Sequence, residues 1–319
     1  MRVRRSFFAA AAFLGGAGVA SAQERAVIPG QPHEWQMGLQ EALSPIEAQI
    51  HWFSNYTLAF IIPITALVAA LLAWCIYRYA AHRNPTPSRT SHNTTIEVVW
   101  TLAPVIILLF LAVPSFQLLT SQYNPPREPE LTIKATGYQW YWGYEYQLAE
   151  AVAAPEAPAD AAAEAPADVA VAAEPVSFES YPLLEDDRDG SGKEDRAVYP
   201  HLLAVDNELV VPVNTVIRIL STSADVIHAF ALPSMGVKVD AVPGRINEYF
   251  MEPLREGIFY GQCSELCGQA HYNMPIAVRV VSKEQFATWY AAAAADLEGA
   301  NAALTAEIQT AGAVAVAGR

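Results

Sequence analysis

The sequence is poor in cysteine, with three in 319 residues, and poor in cations, with 19 lysines and arginines against 33 acids. Three cysteines exclude a small scaffold stapled by disulfides. A formal net charge of −14 excludes a nucleic-acid surface, because phosphate is met by a basic face and this chain has an acidic one. The string C-x-x-C-H is absent, so no c-type haem is attached to this chain. What the chain has instead is apolar: 53% of its residues are hydrophobic. Joined to that net charge, this points to membrane segments carrying an acidic soluble part.

The start, "MRVRRSFFAAAAFLGGAGVASAQE", has a basic head, an apolar stretch from Phe7 to Val19 and a small-residue cleavage site at Ala20-Ser21-Ala22. These are the three parts of an export signal, with removal expected after Ala22. Removal takes three arginines with it, so the mature charge is −14 − 3 = −17. No cysteine follows the cut to take a lipid.

Two runs without any charge follow, Tyr56 to Trp74 and Val98 to Leu119. A bilayer core of about 30 Å needs about 20 helical residues, and both runs suffice. Pro63, Pro104 and Pro114 are tolerated in such helices when neighbours satisfy the freed backbone groups. The loop between the runs carries Arg78, Arg83 and Arg89 and no acid, the mark of a cytoplasmic loop. Trp52, Trp74 and Trp100 fall near the expected interfaces. The chain is therefore expected to run out, in, out. Its organisation is a signal over 1–22, an external segment over 23–54, spans over 55–78 and 97–121 with a cytoplasmic loop over 79–96, an external domain over 122–291 and a helical tail over 292–319.

From Gln122 onward there are 12 cations and 28 acids, a net charge of −16. Such a surface steers cations and basic proteins. Within it, "LTIKATGYQWYWGYEYQL", "ELVVPVNTVIRILSTS", "DAVPGRINEYFME", "GIFYGQC" and "MPIAVRVVS" read as short strands separated by turn residues, as in an all-β sandwich or barrel. Residues 149–176 are almost only Ala, Pro, Val and acids and read as a flexible insertion. "KEQFATWYAAAAADLEGANAALTAEIQ" reads as helix from its alanine content, and the tail beyond Thr310 shows no pattern.

The stretch "GQCSELCGQAHYNM" holds two of the three cysteines, with Cys263, Cys267, His271 and Met274 spaced by four, four and three. A disulfide, a helix stripe, a redox thiol pair and a metal site compete for it. Gly261 and Gly268, with strands close on both sides, disfavour the helix. In an oxidising compartment pairing of the cysteines is the default. The neighbours tilt the balance, because thiolate, imidazole and thioether are donors that soft copper prefers, whereas zinc would not need the methionine. Two cysteines suggest two coppers and so a second histidine. Of His33, His51, His201 and His228, the last stands at a strand end before a strand-breaking Leu-Pro. Cys75, at the end of the first apolar run, reads as a plain apolar residue.

"GQCSELCGQAHYNMP", "DVIHAFALPSMGVKVDAVPGR", "YQWYWGYEY" and the two spans together closely resemble subunit II of the haem-copper cytochrome c oxidases, over about Gln40 to Ala291 except the insertion. The resemblance implies a cupredoxin-like barrel behind a membrane hairpin of two helices, with a binuclear copper centre of the CuA type. It implies that Cys263 and Cys267 bridge the coppers and that His228 and His271 bind one each. Met274 and the Glu265 carbonyl would be weak ligands, the Glu265 side chain reaching a magnesium ion shared with subunit I. It further implies that electrons enter at Trp140 from a c-type cytochrome docked on Glu145, Asp206 and Asp225, with Ala224 where a further acid often stands. Glu97 matches the acid where protons enter, and Asp240 and Arg245 match residues facing subunit I. The implied partners are subunits I and III. The implied place is the bacterial inner membrane, with both termini and the copper domain on the periplasmic side.

Overall fold

A computed structural model describes residues 30–86, 88–148 and 175–317. The expected signal over 1–22 and nearly all of the insertion over 149–176 lie outside the described residues.

Helices α1 (Pro45–Arg78) and α2 (Thr94–Tyr123) are each long and apolar enough to cross a membrane. They run antiparallel as a hairpin, with Tyr56 Oη donating to the Phe110 carbonyl at 3.2 Å and Ser121 Oγ donating to Gln49 Oε1 at 2.9 Å. The 34 residues of α1 extend about 51 Å, some 20 Å more than a bilayer core. Its start lies ten residues before the expected 55, because Ser44 caps it: Ser44 Oγ accepts from the Glu47 N–H at 3.0 Å. The same hydroxyl donates to the Met235 carbonyl at 2.8 Å, so the excess helix is docked on the domain that follows α2. Pro45 at the first helical position and Glu47 three residues after Ser44 are the sequence marks of this start.

The domain after α2 is two facing five-stranded sheets. The first runs β3 (Ser177–Ser180), β2 (Tyr141–Leu148), β1 (Leu131–Tyr138), β5 (Ile217–Ser223), β8 (Asn247–Met251). The second runs β4 (Leu209–Pro212), β10 (Pro275–Val281), β9 (Gly257–Cys263), β6 (His228–Leu232), β7 (Val237–Ala241). β1 and β5 alternate buried and half-buried residues along their length, as strands with one face on a core must. Leu131, Ile133, Ile217 and Ile219 meet Phe230, Leu232, Val278 and Val280 from the other sheet in one apolar core. β7 lies against β8 and closes one side, giving the half-barrel of a cupredoxin-like domain.

β10 is buried along its whole length. Its outer face is covered by the segment 181–206, whose Tyr199, Ala204 and Val205 meet Ile258, Tyr260 and Ala277. Under that cover lies a buried ion pair, with Arg279 Nε donating to Glu208 Oε2 at 2.7 Å. Lys193 reaches the same carboxylate at 2.9 Å, and Arg279 also donates to Tyr199 Oη at 3.0 Å. The C-terminal region is two helices, α3 (Lys283–Ala293), opened by a capping box on Ser282, and α4 (Leu297–Ala317). Helical backbone thus continues past Thr310, through an Ala-rich stretch that favours it.

Candidate metal centre

Three chain segments converge at one end of the sandwich. β6 begins with His228, β9 ends with Cys263, and the loop from Cys263 to Met274 folds back so that the Cys263 N–H donates to the Met274 carbonyl at 2.9 Å. A single turn of 3-10 helix over His271–Asn273 aims the second imidazole inward. The loop is therefore neither a helix stripe nor a disulfide. Both thiols are free and buried, with their sulfurs 3.8 Å apart, against about 2.05 Å in a bond.

Around these sulfurs stand the other expected donors. His228 Nδ1 is 3.8 Å from the Cys263 sulfur and His271 Nδ1 is 3.5 Å from the Cys267 sulfur. The Met274 sulfur is 3.9 Å from that of Cys267, and the Glu265 carbonyl oxygen is 3.2 Å from that of Cys263. Ligand atoms of His228, Cys263 and Cys267 lie within 4.8 Å of one another, and all three residues are buried. Each sulfur thus has its own imidazole, and the two sulfurs face each other. The donor set of thiolates, imidazoles and thioether fits a copper site.

The electrostatics fit as well. Burial disfavours ionisation of Cys263, yet hydrogen bonds with His228 and with backbone at Glu265 and Ala229 outweigh it and lower its pKa. Burial and the charge of Cys263 raise that of Cys267. The pair therefore gives up one proton readily and resists giving up the second. Burial disfavours the His228 imidazolium, but Cys263 and Asp225 together raise its pKa.

The surrounding residues fix this geometry. His228 Nε2 lies 2.8 Å from Asp225 Oδ1, which leaves Nδ1 for the site. Gly137 of β1 lies against the imidazole, and a Cβ there would be 2.7 Å from His228 Cδ2. Trp140 is the second residue of the turn between β1 and β2, half-buried, with its indole Nε1 donating to the Cys267 carbonyl at 3.3 Å. The sequence does not mark Gly137 or Gln139, because a lone chain carries no sign of which glycine meets an imidazole across sheets.

The remaining expected residues stand apart from the sulfurs. Glu97 is in the first turn of α2, at the opposite end from the domain, where its carboxylate accepts from the Asn93 N–H at 3.1 Å. Glu145 pairs with Lys134 at 3.2 Å. Asp206 accepts from the Tyr181 N–H at 2.7 Å, and burial raises its pKa. His51 sits by Glu47 and His201 by Glu185. Asp240 and Arg245 are exposed, and Cys75 is exposed on α1.

Two family models match the chain: "Cytochrome C oxidase subunit II, transmembrane domain" over residues 32–118 and "Cytochrome C oxidase subunit II, periplasmic domain" over residues 131–281. A cytochrome c oxidase subunit 2 of Cereibacter sphaeroides is 38% identical over 291 residues, covering 88% of each chain. A probable cytochrome c oxidase subunit 2 of Rickettsia bellii is 41% identical over 261 residues, covering 82% of this chain and 85% of that one. A solved periplasmic domain of subunit II of cytochrome oxidase from Bradyrhizobium japonicum is 44% identical, covers 52% of this chain and 95% of that one, and has a TM-score of 0.39. With its two spanning helices, its cupredoxin-like half-barrel and the clustered histidine and cysteines, this chain belongs to the cytochrome c oxidase subunit II family.

Proposed function

We propose that this chain accepts electrons from a reduced c-type cytochrome at a binuclear CuA centre and passes them to haem in subunit I. There oxygen is reduced to water with proton pumping. The observation that carries the reading is the pair of unjoined buried sulfurs at 3.8 Å with one imidazole beside each. A copper pair held by these donors would supply reversible one-electron uptake and release, with the change of charge divided between two metals.

The chain's own part is to hold the donors still. Cys263 and Cys267 would bridge, His228 and His271 would bind one copper each, and Met274 and the Glu265 carbonyl would be the weak ligands. Cys263 is fixed at a strand end and bonded back to Met274, His228 is fixed by Asp225, and the Cys267 carbonyl is held by the Trp140 indole. Donors pinned in this way move little when charge changes. Trp140 is the residue through which electrons enter, since its bond to the Cys267 carbonyl links the surface to a bridging ligand. The exposed Glu265 side chain is free to hold magnesium at the contact with subunit I.

Two spanning helices and the arginine-bearing loop between them support a two-pass protein of the bacterial inner membrane, with the copper domain on the periplasmic side and subunits I and III as neighbours. Glu97, at the cytoplasmic edge of α2, is where protons would enter. Glu145, Asp206 and Asp225 are the candidate docking acids. Metal analysis and paramagnetic resonance of the assembled oxidase test the reading. Two coppers in this chain and one unpaired electron shared equally by both nuclei are expected. A single copper, zinc, or a Cys263–Cys267 disulfide in the mature complex overturns it.

A further inference from the structure

We propose that Gln139 is a positioning residue for electron uptake, holding the Trp140 indole against the Cys267 carbonyl. The proposal rests on the reading of Trp140 as the point where electrons enter. Gln139 and Trp140 are the two residues of the turn between β1 and β2, closed by the paired Tyr138 and Tyr141. Two-residue hairpin turns favour Gly, Asn or Asp, and this one has none of them. It is held from outside instead. The Gln139 N–H donates to Asp225 Oδ2 at 2.7 Å, and the side-chain Nε2 donates to the Cys267 carbonyl at 2.7 Å. The same carbonyl accepts the Trp140 indole N–H at 3.3 Å. Through Asp225, whose other oxygen meets His228, the turn is tied to the β6 side of the centre, and through Cys267 to the loop side.

Gly268 makes this approach possible. Its φ of +127° suits glycine, and a Cβ there would stand 3.0 Å from Gln139 Nε2 and 3.1 Å from Trp140 Cζ2. Gln139 is itself exposed, so its side chain adds nothing to the apolar core. What it adds is the shorter of the two bonds to the Cys267 carbonyl.

Oxidase carrying Gln139→Met, which keeps length without a donor, or Gln139→Asn, which keeps the amide but falls short, tests this beside Trp140→Phe. Loss of one such hydrogen bond lowers the equilibrium constant for holding the ring about tenfold, so the first-order electron transfer from bound cytochrome falls by up to that factor. KM for the cytochrome stays near that of the unaltered enzyme. In the metal-free full chain the Trp140 emission, taken as the difference from Trp140→Phe, shifts to the red. Unchanged transfer and unchanged emission in both Gln139 variants, with transfer lost in Trp140→Phe, overturn the positioning role alone. A raised KM with unchanged first-order transfer also overturns it and makes Gln139 a docking contact. If Trp140→Phe transfers electrons at the normal rate, the reading of Trp140 fails and the proposal with it.

Discussion

Asp225 shows how much one side chain acquires from its surroundings. Oδ1 lies 2.6 Å from the Val226 nitrogen and 2.8 Å from His228 Nε2, while Oδ2 takes the Gln139 N–H. Burial alone would raise its pKa, but His228 and these backbone donors lower it. In the sequence Asp225 was one acid among many, matched to docking. Its position makes it a support for the His228 imidazole. Asp225→Asn keeps the shape and weakens the acceptor, so copper affinity is expected to fall about tenfold, as for other carboxylates behind metal-bound imidazoles. Chelator competition measures this. A variant altered only in cytochrome kinetics would return Asp225 to docking alone.

At the scale of elements, the crossing of β6 and β9 sets the distance between His228 and Cys263. Phe230 pairs with Cys263 and Ala231 with Gln262. Gly261 permits the approach, since a Cβ there would be 1.9 Å from the Ala231 carbonyl oxygen. Gly261→Ala is expected to destabilise the domain by about 3 kcal/mol through overpacking, and to lower copper content because it parts the strands that carry His228 and Cys263. Thermal unfolding and metal analysis of the full chain in detergent check both effects. The buried pair beneath segment 181–206 makes a second prediction. Burial would raise the Glu208 pKa, but Arg279 and Lys193 outweigh burial and hold it below its ordinary 4.5. Its stabilisation is then complete above about pH 4.5 and is lost as pH falls through the lower folded value. In Glu208→Gln the unfolding temperature should fall less steeply over that acid range than in the unaltered chain. Equal slopes would show that the pair has no part in acid unfolding. Neither the crossing nor this pair was legible in the chain. Gly261 looked only like a helix breaker, and Glu208 and Arg279 are 71 residues apart.

For the whole molecule, the net charge of −16 from Gln122 onward creates a negative field around the domain that follows α2. Glu145 is paired with Lys134 and Asp225 is turned to His228, so steering rests on the wider surface, including the exposed Asp186, Asp187 and Asp189. Association with a basic cytochrome should slow steeply as ionic strength rises, while first-order transfer within the complex stays constant. Stopped-flow measurements at several salt concentrations separate the two, and a salt-independent association rate would remove the field from the account.

What the sequence determined by itself follows from local physics. Charge-free runs dictate membrane helices, alternation and turn residues dictate strands, and a cluster of soft donors within 12 residues points to a soft-metal site. These signals need no knowledge of the fold, because every partner is a near neighbour in the chain. Tertiary structure decided whatever joins distant segments: the docking of α1 on Met235, Gly137 against His228, Gln139 on Cys267, and the Glu208–Arg279 pair. Contacts across the two sheets depend on strand order and register, and a single chain carries no periodicity that encodes them.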